Sequence, residues 1–266
     1  MAQRKQAPAR AQLEAIARQI TEAEEVLNVG EAEILGVRQP AYVNAPGDLR
    51  FLLMKAMEHA EKEGVIFEDQ RWTFGELVGR SVAFANALIQ RHGVTPGTRI
   101  ALAMRNSPEW MAAFLGIIAA GGVVVPLNGW WTSEEMGFGL SDCGARIVIA
   151  GARQIERLRP HQASLGLTLI SGRGELEDVA DTFDAMVAAC AGQEPPAIAI
   201  DPDSDFAIFY TSGSTGSPKG AVLTHRGAVT TILSFALLGA SLRLANNDED
   251  FTEGDPGVLV CLPLFH

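Results

Sequence analysis

The chain has 266 residues, 47% apolar and 20% charged, and a net charge of -11 at neutral pH. This is enough for one large domain or two small ones with a sizeable core, and it argues against disorder. The acidic balance disfavours a nucleic-acid partner, and the three cysteines (Cys143, Cys190, Cys261) form no C-x-x-C pair, so no disulfide framework or zinc site is expected and the compartment reads as reducing and cytoplasmic.

In chain order, the basic start Met1-Ala2-Gln3-Arg4-Lys5 has no apolar stretch behind it and is not read as a secretory signal. No apolar run reaches bilayer length, so no transmembrane segment is expected. Leu13, Ile16, Ile20, Ala23 and Leu27 recur at helical spacing, which predicts a helix over residues 8–29 ended by Gly30. An accessory helix packed on the domain is the expectation, ahead of one docked on a membrane or a partner. Gln39-Pro40 to Pro46-Gly47 reads as a linker. A second helix is predicted over 49–63, then a hairpin of Val65-Ile66-Phe67 and Arg71-Trp72-Thr73 around Glu68-Asp69-Gln70. Thr73-Phe74-Gly75-Glu76 fits a capping box, opening a helix that Gly93 ends.

From there strands and helices alternate. Arg99 to Met104 is a predicted strand, and Asn106-Ser107-Pro108-Glu109 opens a helix with a capping side chain, a first-turn proline and an early carboxylate. That helix stops at Gly121-Gly122, before a buried strand, Val123 to Leu127. Thr132-Ser133-Glu134-Glu135 caps another helix, which Gly144 ends, and strands follow at 146–150 and 167–170. Such alternation implies βαβ units and a mainly parallel sheet. Residues 172–205 read as a surface helix, roughly 176–190, and a linker. Arg226 to Leu238 is a predicted helix, 246–257 a solvated acidic loop without EF-hand order, and Val258 to Leu262 a last strand.

The stretch Tyr210-Thr211-Ser212-Gly213-Ser214-Thr215-Gly216-Ser217-Pro218-Lys219-Gly220 carries the chemistry. Apolar runs, Phe206 to Tyr210 and Ala221 to Leu223, lead in and out, so it reads as a loop between two buried strands rather than a flexible linker. Glycines let backbone N–H groups close on an anion, hydroxyls add donors, and Lys219 adds a cation, a set that suits a polyphosphate. Walker A fails on spacing, because Pro218 precedes the lysine and Gly220 follows it. The G-x-S-x-G elbow fails because Ser212 stands two before Ser214.

This loop, continued through Thr224-His225, resembles the signature phosphate loop of the acyl-adenylate-forming superfamily, which includes acyl-CoA synthetases, peptide-synthetase adenylation domains and luciferases. Trp72-Thr73-Phe74-Gly75-Glu76-Leu77 and Ala119 to Asn128 resemble two earlier motifs of that superfamily, in order. Leu262-Pro263-Leu264-Phe265-His266 resembles the later segment that lines the acyl pocket of acyl-CoA synthetases, and it lacks the Asp that peptide-synthetase domains carry for an amino group. The resemblance covers residues 45–266, about the first half of a typical member.

The resemblance implies an α/β fold: the βαβ-type layered large N-terminal domain of an adenylate-forming enzyme, incomplete, without the small mobile C-terminal domain. Its expected divisions are a helical leader and linker at 1–45, a first α/β part at 46–200, and the loop with the start of a second part at 201–266. It also implies a ligase using ATP, Mg²⁺ and CoA on a carboxylic acid, a medium- or long-chain fatty acid ahead of an aryl acid. Thr211 is the implied Mg²⁺-side hydroxyl. Ser212, Gly213, Ser214, Thr215, Gly216 and Lys219 are implied to hold phosphates, and His266 to face the substrate. The family's catalytic lysine lies in later motifs not found within these residues, so the 266-residue chain by itself is expected to be inactive. Two alternatives stand beside this reading: a fatty acyl-AMP ligase serving a carrier protein, and a non-catalytic half-protein that binds a nucleotide or partner. A homodimer and a peripheral membrane position are left open.

Overall fold

The computed structural model describes residues 8–174, 176–211, 218–246 and 257–265. The chain divides into two compact units, one of residues 1–48 and 226–260, the other of residues 49–225 and 261–266.

The first unit opens with helix α1 (Arg10–Ala23), shorter than the sequence suggests because Glu24 turns extended. A short 3-10 turn, Glu25–Leu27, leads to a hairpin of β1 (Val29–Ile34) and β2 (Val37–Tyr42), with Val29 opposite Tyr42. The predicted linker at 39–47 is therefore half strand, and Gly30 is a strand residue rather than a helix stop. The two turn residues, Leu35 and Gly36, both take positive φ (50° and 79°), the conformation whose twist matches a two-residue hairpin. Leucine is not a residue that announces such a turn, which is why local reading missed it.

The second unit starts with α2 (Phe51–Met57) and a hairpin of β3 (Glu63–Phe67) and β4 (Gln70–Thr73). α3 (Phe74–His92) begins at the predicted capping box: Glu76 N–H donates to Thr73 Oγ1 at 3.1 Å, and Thr73 N–H to Glu76 Oε2 at 2.8 Å. Gly93, at φ 65°, ends it. Then follow β5 (Arg99–Ala103), α4 (Pro108–Ala119), β6 (Val123–Pro126), α5 (Ser133–Cys143) and β7 (Ile147–Ala150). α6 (Ala152–Leu165), β8 (Thr168–Ser171), β9 (Asp181–Thr182), α7 (Phe183–Ala189), β10 (Asp205–Thr211) and β11 (Lys219–Thr224) complete it.

A seven-stranded sheet runs β11-β10-β6-β5-β7-β8-β9, parallel throughout except for the antiparallel edge strand β11. Strands buried on both faces explain the unbroken apolar runs at 100–104 and 123–127. Ala101, Val125, Val148 and Leu169 pack against Met136 and Leu140 of α5 and Leu158 of α6. Alternation sends Ile100, Leu102, Val124 and Ile149 to the opposite face. α3, α4 and α7 pack together.

The structure adds one element in this unit and changes two expectations. α6 was not foreseen, because Pro160 inside it argues locally against a helix. The surface helix expected near 176–190 is shorter, Phe183–Ala189: its outer face (Asp184, Ala185, Ala188) is exposed, and Phe183 and Met186 anchor it, with the Phe183 ring 4.9 Å from Phe84. β11 is exposed along most of its length, so the run Ala221 to Leu223 is an edge strand rather than a buried one.

The remaining helix, α8 (His225–Asn246), falls almost wholly in the first unit, where Ser234 Oγ lies 3.2 Å from Tyr42 Oη. It runs 22 residues, beyond the predicted 226–238. It is also long and apolar enough, by length and composition alone, to cross a membrane, which corrects the reading that no apolar run reaches bilayer length. Val258 to Leu262 takes no strand pairing; Val258 and Leu259 are 87% and 88% exposed, and a strand-like sequence without a ladder partner does not form one. Of the predicted acidic loop, residues 247–256 lie outside the described residues.

Candidate active site

Two strands frame the phosphate-loop candidate. β10 is parallel to β6, so its end at Thr211 opens on the same side of the sheet as the carboxyl ends of β5, β6 and β7. β11 returns antiparallel and places Lys219 directly across from Thr211. The Thr211 hydroxyl donates to the Lys219 carbonyl at 3.5 Å, at the long limit of a hydrogen bond, and both residues are exposed at the mouth of the loop. Thus the structure brings together two of the predicted site residues. Ser212, Gly213, Ser214, Thr215, Gly216 and His266 lie outside the described residues.

One position earlier, Tyr210 is buried and tied down. Its phenol donates to Asp142 Oδ2 at 2.5 Å and has the Gly139 carbonyl, a second acceptor, at 3.2 Å. Asp142 and Gly139 stand three apart on α5, hence on one face. The Trp131 ring meets Tyr210 edge-on at 5.6 Å. Burial, and then the hydrogen bond to Asp142, push the phenol well above its ordinary pKa, so it stays a neutral donor. Gly220 pairs with Tyr210 across the ladder, where an added Cβ would lie 2.8 Å from Ile208 Cγ2. The glycine is thus required by close approach.

Beside this mouth the sheet changes direction. β6 and β7 flank β5 on opposite sides, so the connections from this part of the sheet diverge and leave a crevice at the carboxyl ends, where open α/β sheets bind ligands. A cavity of about 420 Å³ lies here, with Met104 and Asn106 behind β5, Trp130 behind β6, and Cys261, Pro263 and Phe265 from the far segment. Trp130 and Phe265 meet edge-to-face at 5.4 Å and 79°. A neighbouring cavity of about 450 Å³ shares Met104, Arg105 and Asn106 and adds Gln154, Arg153 and Arg173. Arg173 lies 3.7 Å from the buried Glu109 carboxylate, and its guanidinium sits 5.3 Å over the Phe67 ring. With Arg173 paired to Glu109 and Glu68 also at the rim, Arg105 and Arg153 are the cationic side chains left to this cavity.

Sequence reasoning missed Arg105, Trp130, Arg153 and Arg173. Their signal was position: Arg105, Trp130 and Arg153 follow shortly after the carboxyl end of a parallel strand. It also left the capping side chain before α4 undecided. Ser107 is the cap, with its Oγ accepting from Trp110 N–H at 3.2 Å, while Asn106 is engaged elsewhere. Among the described residues no group of three or more His, Cys, Asp or Glu is placed to hold a metal ion. The Thr211 hydroxyl fits a single ligand to a Mg²⁺ that takes its other oxygens from phosphate and water.

A parallel sheet open at its switch point, with a hydroxyl-rich sequence between β10 and β11, has the form in which α/β folds bind ligands. The chain belongs to the AMP-binding enzyme family, whose model matches residues 53–266. It is 32% identical over 192 residues to 4-coumarate–CoA ligase 2 of Petroselinum crispum, covering 72% of this chain and 33% of that protein. Indigoidine synthase of Streptomyces lavendulae is 28% identical over 206 residues, covering 77% of this chain and 15% of its own length. Among solved structures, a benzoate CoA ligase from Burkholderia xenovorans superposes with a TM-score of 0.57 at 31% identity, covering 66% of this chain and 34% of that one. The match therefore spans about a third of these two CoA ligases. About two thirds of this chain thus takes the fold of part of the N-terminal domain of adenylate-forming enzymes.

Proposed function

We propose that the protein is an ATP-dependent acid–CoA ligase, of which this chain is the part that grips the triphosphate and walls the acid pocket. A carboxylate oxygen attacks the α-phosphorus of ATP and pyrophosphate leaves. The CoA thiolate then attacks the acyl carbon, a thioester forms and AMP leaves. The carrying observation is that Thr211 and Lys219 meet at the end of β10 that faces the same side of the sheet as the apolar cavity. Phosphate and acid would then be held within one crevice, which supplies orientation. Lys219 balances phosphate charge, and Ser212, Ser214 and Thr215 donate to phosphate oxygens alongside the backbone N–H groups at Gly213 and Gly216. Donors fixed in advance lower the cost of charge that spreads over the phosphoryl oxygens in the transition state. Mg²⁺ supplies further charge neutralisation at the phosphates when bound, with Thr211 as its protein ligand.

The acid is a medium- or long-chain fatty acid, and the apolar cavity supports a substrate without an α-amino group. A second reading, an aryl acid, is favoured by the edge-to-face Trp130–Phe265 pair, which presents aromatic surface to a flat ring. The relatives include ligases named for 4-coumarate and benzoate. Arg105 and Arg153 support CoA, with its phosphates, as the acceptor ahead of a carrier protein. Pyrophosphate release from the full-length protein, measured over fatty and aryl acids with CoA, with an acyl carrier protein or with neither, tests each part. Release dependent on an acid and thioester formation with CoA are expected. No release with any acid would sink the ligase reading.

A further inference from the structure

Asn106 sits just past the carboxyl end of β5 and just before the cap of α4, on two of the most buried elements of the unit. Its side chain is not turned to that helix. Instead Nδ2 donates to the Leu262 carbonyl at 2.8 Å, and Oδ1 accepts from the Leu264 N–H at 2.9 Å. Both ends of one amide thus read the backbone on either side of Pro263. Proline has no N–H and a fixed φ, so it presents those two groups from a stiff bend. The segment leading to this bend has no ladder of its own: Val258, Leu259 and Leu262 are strongly exposed, and Cys261 is exposed too. Beyond the bend, Phe265 is buried and meets Trp130. Asn106 therefore links a rigid sheet end to a segment whose placement forms one wall of the apolar cavity.

We propose that Asn106 is a positioning residue that sets acid selection by holding Leu262–Leu264, and with it Phe265, as the cavity wall. Each end of its amide holds one backbone partner, so although Asn106 also lines the cavity, its two observed bonds act on the segment. The selection role rests on the acid–CoA ligase reading, whereas the clamp itself does not.

The test uses the full-length protein with Asn106→Ala and with Asn106→Asp, which keeps an acceptor for Leu264 N–H but sets an oxygen against the Leu262 carbonyl. Peptide-resolved hydrogen exchange at the Leu264 amide reports the segment without any need for activity. Kinetics over the acid panel report selection. Loss of two neutral hydrogen bonds is expected to speed exchange of the Leu264 amide and raise the acid KM about tenfold or more in Asn106→Ala. The order of acid preference should change in both variants, with the ATP KM held within about twofold. Unchanged exchange at Leu264 in Asn106→Ala would overturn the clamp. Faster exchange with an unchanged acid order, or with acid and ATP KM rising together, would overturn the selection role. If the unaltered protein releases no pyrophosphate with any acid while exchange still accelerates in Asn106→Ala, the ligase reading and the selection role fall together and the clamp stands.

Discussion

The Tyr210 phenol donates to Asp142 at 2.5 Å, across 68 residues of sequence. This contact fastens the last buried position of β10 to α5, one residue before Thr211 begins the loop mouth. A hydrogen bond to a charged group contributes about 1.5–3 kcal/mol, and the exposure of Asp142 brings this pair toward or below the lower end. Tyr210→Phe and Asp142→Ala are each expected to lower unfolding free energy by about 1 kcal/mol. The double variant should cost little more than either alone, because both remove one contact. Denaturant titration of all four forms measures this, and independent, additive losses would refute the coupling.

The pH dependence of the same pair has a fixed sign. The folded-state pKa of Tyr210 is raised, first by burial and then by the Asp142 bond. The folded protein therefore holds this proton more tightly than the unfolded chain, whose tyrosine titrates near about 10. The contribution is fully present below about pH 10 and is lost as pH rises further. Melting curves of the unaltered protein and Tyr210→Phe should stay a constant distance apart from neutral pH upward, then converge above that value.

Gly220→Ala tests the close approach of β11 to β10. The new Cβ would stand 2.8 Å from Ile208 Cγ2, a short branched side chain with little room to yield. A cost of about 1–3 kcal/mol is expected from this overpacking. Denaturant unfolding gives the cost, and a raised ATP KM would show that the strain reaches Lys219 next door. A fully stable variant would mean that the ladder shifts freely here.

Lys219→Ala removes an exposed cation at the loop mouth, so the fold should persist with an unchanged melting temperature. The ATP KM is expected to rise about tenfold, as for loss of a charge-assisted phosphate contact. The acid KM should hardly move. Unchanged ATP dependence would remove Lys219 from the phosphate role.

Much of the fold was legible because its signals are local. Thr73 with Glu76 and Thr132 with Glu135 each close a capping box within four residues, and Gly93 and Gly144 take the left-handed conformation that ends a helix. Those caps and the apolar runs between them settle a βαβ alternation, and the residue types at 211–219 are the sequence basis of the proposed phosphate loop. The tertiary structure decided what those signals leave free. It placed β7 beside β5, which brings Arg105 and Arg153 to one cavity, and it buried Phe183 in a segment that looks like surface. It turned Asn106 from the helix it precedes to a bend 156 residues away. Caps and periodicity arise from chain neighbours, so sequence determines them directly. Partners of Asn106, Asp142 and the arginines depend on strand order and on which faces meet, which are properties of the whole packed sheet.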